Sequence, residues 1–543
     1  MMHPLVSFCL AFCVFSHTTL ALSPSAPVVD LDYAIYQGTF NATSNITRFL
    51  GIRYAAPPVG KLRFQAPAPP LDERSLGVQQ ANTLSVGCLQ AGSGSNISSP
   101  FRNGNGNNLP QKRQSPDPED CLFLNVYASG PISSANRLPV LVWFHGGGYV
   151  AGNVQNEKGD DLINEAGGEV IVVTLDHRLG VFGFLAGSQV KEKGALNTGL
   201  LDQQAVLQWV QKNIHLFGGN SDEVTIWGQS AGAGSVIQHM IAHGGNTQPS
   251  LFKGAISGSL YLPSQYNFND RIPEQIYSEF TQLTGCANAT DTFECLVNVD
   301  VETLQAANVA INRSGFFGTF VVVPVVDGEF IQRSPSRQMT SGRLNGIRLL
   351  AMNNAFEGVT FVNATYSAEI TITDYIAQLF PNLDETQTRD AAAQYASISA
   401  FPTTNDQAIA IVGESILICP TYLLLQSFRG GSAFKLEFAV PPATHGNDAQ
   451  YYFKNGHTPA FSNPEFDASF PGAIMGFVKF GNPNRHPVPD IITPPWATYH
   501  VNHTEMLFNR TEDFQPDIRP ISTDRALMER CAFWRSVSGH TAQ

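Results

Sequence analysis

Two kinds of apolar pattern alternate along the first half of the chain. Leu138 to Phe144 (Leu-Pro-Val-Leu-Val-Trp-Phe) is a short continuous apolar run, and Val170 to Leu175 is another. Uninterrupted runs of this length predict strands buried on both faces of a sheet. Leu200 to Ile214 reads differently, with Leu201, Ala205, Leu207, Val210 and Ile214 at helical spacing among charged and Gln residues. Val224 to Trp227 predicts a third strand and Ala231 to Ile241 a second helix. Further strands are expected at Phe320 to Val326, Ile347 to Met352 and Lys435 to Val440. Strand alternating with helix implies an α/β fold, a large, mostly parallel central sheet with helices on both faces. Cys88 to Cys121 is dense in Gly, Asn, Ser and Pro and reads as a long surface loop.

Composition narrows the class. Only 14% of the 543 residues are charged, against about 25% in ordinary soluble domains. The 36 Phe, 15 Tyr and 5 Trp can fill a large core. A net charge of −13 without a basic run argues against nucleic acid or a polybasic membrane contact as the main partner. Leu5 to Phe15 is apolar but too short to span a bilayer, and Thr19-Leu20-Ala21 resembles a signal-peptidase site. Residues 1–21 are therefore expected to be a signal peptide. Residues 22–543 are expected to form one secreted domain, because no linker divides them. No other apolar run approaching 18 residues stands out, so no stable membrane anchor is expected.

Secretion brings expectations for surface and cross-links. Eight Asn-x-Ser/Thr sites are glycosylation candidates: Asn41, Asn45, Asn96, Asn288, Asn312, Asn363, Asn502 and Asn509. Beyond the leader lie Cys88, Cys121, Cys286, Cys295, Cys419 and Cys531, for which spacing leaves 15 pairings open. No Cys-x2-Cys pair points to a metal.

The candidate chemistry is nucleophilic. Gly228-Gln229-Ser230-Ala231-Gly232 lies between a predicted strand and a predicted helix, the setting of a nucleophile elbow. His145-Gly146-Gly147-Gly148-Tyr149 follows the strand ending at Phe144. Gly residues let N–H groups turn toward an incoming oxygen, so Gly147, Gly148 and Ala231 are the oxyanion-hole candidates. His145 precedes the glycines and reads as structural. A serine hydroxyl needs a base. In this fold the chain order is serine, acid, histidine, and His445, after a predicted strand, is the chosen base. His239 and His243 stand four apart on a helix but lack the Glu of a His-Glu-x-x-His zinc site, and read as ordinary helix residues. Glu357, after the strand Ile347 to Met352, and Asp327, in an Asp-Gly turn, compete as the acid, with Glu357 somewhat ahead.

Together these residues resemble the type-B carboxylesterase/lipase family, the cholinesterase-like branch of the α/β-hydrolases. The resemblance begins at Phe49-Leu-Gly-Ile-Arg-Tyr-Ala-Ala-Pro-Pro-Val-Gly60 and runs through Glu119-Asp-Cys-Leu-Phe-Leu-Asn-Val126, the Gly run and Leu179-Gly-Val-Phe-Gly-Phe184. Gly199-Leu-Leu-Asp-Gln-Gln204 and the elbow extend it. It implies a Ser230–His445–Glu357 triad and the bridges Cys88–Cys121, Cys286–Cys295 and Cys419–Cys531. It further implies a structural Arg53–Glu119 ion pair and Ser235 as a serine beside the triad acid. Phe317 and Phe320 fall where the family builds its acyl pocket. Gln229 stands where the family usually has Glu, and the 88–121 loop lacks the Trp that stacks on choline, which argues against a choline ester.

The expectation is a secreted carboxylic ester hydrolase that needs no metal or cofactor and acts on a small-molecule or lipid ester. The segment between Cys88 and Cys121 holds few large apolar residues, spread among Gly and Asn, and so lacks the apolar face of an interfacial lid. This favours short- to medium-chain or aryl esters over long-chain lipid esters, the lipase or steryl esterase alternative. A catalytically silent adhesion protein is the alternative from another class, disfavoured because every catalytic element is present.

Overall fold

The computed structural model describes residues 26–103, 119–454 and 458–543. The expected signal peptide and part of the 88–121 loop lie outside these residues. Eleven strands form the main sheet: β1 (Thr39–Asn41), β2 (Ile46–Arg53), β3 (Phe123–Ser129), β4 (Leu138–Phe144), β5 (Ile171–Leu175), β6 (Gly219–Gln229), β7 (Gly254–Gly258), β8 (Arg348–Asn354), β9 (Ser432–Phe438), β10 (Thr504–Arg510) and β11 (Pro516–Ser522). Their spatial order is β11-β10-β9-β8-β7-β6-β4-β5-β3-β2-β1. From β5 through β4 to β10 the pairing is parallel, and the edges are antiparallel. The buried runs β4 and β5 occupy central positions because parallel strands are covered on both faces. Apolar clusters fill both sides: Val140, Val142, Phe144 and Ile226 belong to one, Leu141, Trp143, Trp227 and Leu436 to the other.

Helices α1 (Thr198–Asn213) and α2 (Ala231–Gly245) flank β6 in sequence. Helical dihedrals in α2 stop at Ile241, because Ala242, His243 and Gly244 leave the helical region. The expected strand at Phe320 to Val326 does not form. Pro324 has no N–H to give a ladder, and side-chain amides take the place of a neighbouring strand. Asn197 pairs with both backbone groups of Val325 (2.9 Å each), and Asn312 Oδ1 accepts from Val322 N (3.2 Å).

The chain does contain an apolar helix long enough to cross a membrane. Thr404–Ser427 spans 24 residues with a mean hydropathy of 2.0 over its most apolar window, but 83% of that window is buried in the fold. It is a core element, with a π turn at Glu414–Ile418 between two α-helical halves. The three disulfides pair as the family resemblance implies. The ion pairs do not. Arg53 bonds Asp120 at 2.7 and 2.9 Å, while Glu119 is held by Arg63, whose guanidinium also reaches the carbonyls of Val297 and Val299. Adjacent acids on an extended stretch point to opposite sides, so the two arginines divide them.

Candidate active site

Ser230 stands at the end of β6 with φ 59° and ψ −124°, a conformation costly for a residue with a Cβ. Three hydrogen bonds hold it there: its N–H donates to Gly258 O (2.9 Å), and its carbonyl accepts from Gly234 N (2.9 Å) and Tyr261 N (3.4 Å). The flanking glycines are required by close approach. A Cβ on Gly232 would strike the Phe144 carbonyl, and one on Gly228 would strike the backbone of Gly232. Ala231 opens α2, so its N–H lies at a helix N-terminus, where unpaired donors and the helix dipole favour negative charge.

The Gly run sits against this turn. A Cβ on Gly146 would lie 3.2 Å from Ser230 Cβ. Gly147 (φ 108°) and Gly148 (φ 65°) adopt left-handed backbone conformations, and neither N–H bonds a protein acceptor among the described residues. The arrangement can offer donors to an oxyanion. His145 is buried and stacks on His177 with ring centroids 4.5 Å apart, and burial pushes its pKa down to about 4. It is a neutral packing residue.

Glu357 and His445 come from the ends of neighbouring strands β8 and β9. Their loops are tied by Ala355 N to Phe438 O (2.9 Å) and Phe356 N to Ala443 O (3.0 Å). His445 Nδ1 donates to Glu357 Oε2 at 2.6 Å, and Asn354 N donates to Glu357 Oε1 at 2.7 Å. Gln229 Nε2, one residue before Ser230, reaches His445 Nε2 at 3.4 Å, which brings the imidazole to the elbow with that nitrogen as acceptor. A serine, an acceptor imidazole and a buried carboxylate in this order can perform acyl transfer.

The sequence profile of the carboxylesterase family matches residues 25–534. The chain belongs to the carboxylesterase family. It is 30% identical to carboxylesterase patB of Aspergillus clavatus, over 96% of this chain and 100% of that one. It is 29% identical to lipase 2 of Geotrichum candidum, over 87% and 90%. Among solved structures, EstA of Aspergillus niger superposes with a TM-score of 0.82 at 27% identity, covering 96% of this chain and 99% of that one. The fold is that of the α/β-hydrolases.

In this carboxylesterase family member, Asp327 is not near the imidazole. Its Oδ1 accepts from Glu329 N (2.7 Å) and Ile331 N (3.0 Å), and its Oδ2 from Asn197 Nδ2 (2.6 Å), which makes it the clasp of its turn. Ser235 does not serve the acid either. It accepts from Gln203 Nε2 (2.9 Å), and Gln203 Oε1 in turn faces the buried His239. The serine tied to the acid's loop is Ser259, which accepts from Asn354 Nδ2 (3.0 Å). The same amide donates to Asp448 Oδ1 (2.9 Å), whose Oδ2 accepts from Tyr452 (2.9 Å). Burial, followed by the nearby Glu357, raises the Asp448 pKa. Asn354 thus positions Glu357 with its backbone N–H and two further side chains with its amide. Its signal in the sequence is a pair of amides, Asn353-Asn354, at the end of a buried apolar run.

Phe317 and Phe320 line an apolar cavity of about 80 Å³ beside the elbow, together with Phe101, Tyr261, Phe361 and Ile416. Phe320 packs on Gly148, where any Cβ would enter its ring, and Phe361 meets His445 edge-on at 4.9 Å. Within the described part of the 88–121 loop, Leu89 and Phe101 are buried and Ile97 is exposed; Leu109 lies outside the described residues. Of the glycosylation candidates, Asn41, Asn45, Asn288 and Asn502 are exposed and Asn96, Asn363 and Asn509 half-buried. Asn312 is fully buried, its amide donating to Asn308, which removes it as an acceptor in the folded protein.

Proposed function

We propose that this chain is a secreted carboxylic ester hydrolase working through Ser230, His445 and Glu357. Ser230 attacks the ester carbonyl while His445 Nε2 takes its proton, and Glu357 holds the imidazole and stabilises its cationic form. Gly147, Gly148 and Ala231 N–H groups receive the oxyanion, each worth about 3 kcal/mol. The alcohol leaves, and water hydrolyses the acyl-enzyme by the reverse proton path. The observation that carries the reading is the convergence of a strained Ser230, the Gly run against it and a carboxylate-bound imidazole at the adjacent Gln229.

The preferred substrates are short- to medium-chain or aryl esters. The cavity beside the elbow is small and richly aromatic. Residues 1–21 direct export and 22–543 form one esterase domain. Three disulfides and relatives named as secreted lipases support the extracellular setting. The second reading, a lipase, is favoured by relatives of that name. A fluorophosphonate probe should label Ser230 in the folded protein. A panel of acyl esters on both sides of micelle formation should show rates highest for dissolved short esters and low for choline esters. A sharp rate jump on micellar long-chain triacylglycerol would favour the lipase, and no labelling a silent protein.

A further inference from the structure

The apolar cavity beside the elbow has a neighbour. A second cavity of about 140 Å³ adjoins it, lined by Leu262, Ser415, Cys419, Tyr422, Met528 and Gln543 among others. The two share a wall one residue thick. Tyr261 and Pro263 face the first cavity and Leu262 the second; Ile416 and Leu417 face the first and Ser415 the second. The wall is two short segments, the loop after β7 and the π turn Glu414–Ile418, joined directly by Leu262 N to Ile416 O (2.9 Å).

A single side chain bridges these segments from behind. Gln543 is 4% exposed, and its Nε2 donates to both Leu262 O (2.7 Å) and Ser415 O (2.9 Å). Its Oε1 accepts from Thr541 Oγ1 (2.9 Å), and its backbone N–H donates to Ser538 O (3.0 Å). Every polar atom of the amide is therefore spent on fixing one geometry. Pro420 explains why the acceptors are available. It has no N–H to give the carbonyls four and five residues before it, so Ser415 and Ile416 in succession accept from outside the helix. The preceding loop is held by the same short segment, since Gln265 N donates to Ala542 O, and Gln265 Oε1 accepts from Gln238 of α2 (2.9 Å).

We propose that Gln543 is a specificity-determining positioning residue: it pins the partition between the two cavities and so sets the length of acyl chain the enzyme accepts. The inference rests on the ester-hydrolase reading and on the first cavity taking the acyl group. With the amide in place, Pro263 and Ile416 wall off the acyl cavity from the space behind. Without it, two buried carbonyls lose their donor and the wall yields into the space behind, so the acyl cavity lengthens. Two other ties keep the underlying helix docked: Cys419–Cys531, and Arg530, whose Nε and Nη2 grip Glu414 at 2.8 and 2.6 Å. Loss of the amide is thus a local change.

The test compares kcat/KM for dissolved p-nitrophenyl dodecanoate and butyrate, both below their micelle concentrations, in wild type, Gln543→Ala, Gln543→Met and Gln543→Ala/Ala532→Trp. One or two methylenes of pocket length are worth roughly tenfold in discrimination. The dodecanoate-to-butyrate ratio should rise by about that factor in Gln543→Ala. It should rise less in Gln543→Met, which keeps the bulk but neither donates nor accepts. It should fall back toward wild type when the Trp fills the second cavity from its rim. A folded Gln543→Ala with an unchanged ratio, even if both rates fall together, overturns the proposal, because a merely structural role lowers both alike. Should that variant not fold, an unchanged ratio in Gln543→Met overturns it equally. A wild type that hydrolyses neither ester brings down the underlying ester-hydrolase reading instead.

Discussion

Asp327 and Glu357 both follow a short apolar run, both are buried, and both accept hydrogen bonds from backbone N–H groups a few residues away. They differ in what their runs become. Arg348–Asn354 is a central strand, paired in parallel with β7 and β9, so the residues just beyond it meet the loops of both neighbours. Glu357 thereby faces His445. Phe320 to Val326 pairs with asparagine side chains and a single isolated bridge, and Asp327 at its end faces only its own turn and Asn197. Similar local chemistry yields a candidate catalytic acid in one place and a turn clasp in the other, and sheet adjacency makes the difference.

The largest expected effect tests that contrast directly. Ser230→Ala and His445→Ala should each lower kcat by roughly four to six orders of magnitude, and Glu357→Gln by about two to four, since the triad acts as a unit. Asp327→Asn should keep kcat within about threefold but reduce unfolding free energy by ~1–3 kcal/mol, the cost of disturbing buried hydrogen bonds. Rates normalised by active-site titration, with denaturant unfolding alongside, separate the two. The reverse pattern would move the acid to Asp327.

Gly148 offers a sharper steric test where the two regions touch. Gly148→Ala forces a side chain into a left-handed conformation and into the Phe320 ring. It should cost about 10²-fold in kcat by displacing an oxyanion donor. Phe320→Ala in the same protein should recover part of that loss. No recovery would mean that backbone strain alone, not the aromatic wall, sets the cost.

Asp176 extends the comparison to a buried acid with no cation paired to it among the described residues. Burial pushes its pKa from 3.8 up to about 7, against the opposing bonds from Ser85 and Val154 N–H. Between those values the folded chain holds a proton that the unfolded chain has released. This group's contribution to stability is therefore complete below pH 3.8 and is lost as pH rises through about 7. Asp176→Asn removes the titration. Its unfolding free energy relative to wild type should increase by on the order of 3 kcal/mol between pH 4 and pH 8, measured by chemical denaturation. A constant difference would show that the carboxyl is ionised throughout.

The smallest effect concerns the amides that hold the 320–326 loop. Glycopeptide mass spectrometry of the protein expressed through a eukaryotic secretory pathway should find Asn312 unoccupied, because its Nδ2 is committed to Asn308 in the core. The exposed Asn41, Asn45, Asn288 and Asn502 provide the contrast. A glycan on Asn312 in active enzyme would show that the loop is built differently.

What could be read from residue order is what depends on near neighbours in the chain. The apolar runs at 138–144 and 170–175 became central strands, and the helices after them formed within a few residues of expectation. The elbow and the Gly run were equally legible, because a close approach that excludes a Cβ leaves glycine in the sequence, whether the neighbour is four residues away, as Gly232 is from Gly228, or far along the chain, as Phe144 is from Gly232. Spacing placed Glu357 only slightly ahead of Asp327, whereas tertiary structure brought Glu357 to His445 by making one run a strand between β7 and β9. It likewise assigned Glu119 to Arg63 and Asp120 to Arg53, put Ser259 in the place expected of Ser235, and buried Asn312 as a surrogate ladder. It also brought Gln543 against Leu262 and Ser415, a contact with no trace in any local pattern. Such pairings depend on which strand ends and loops converge in space. A hydrogen bond spanning 281 residues of sequence is made at the same distance as one between neighbours, and only the packed fold specifies its partner.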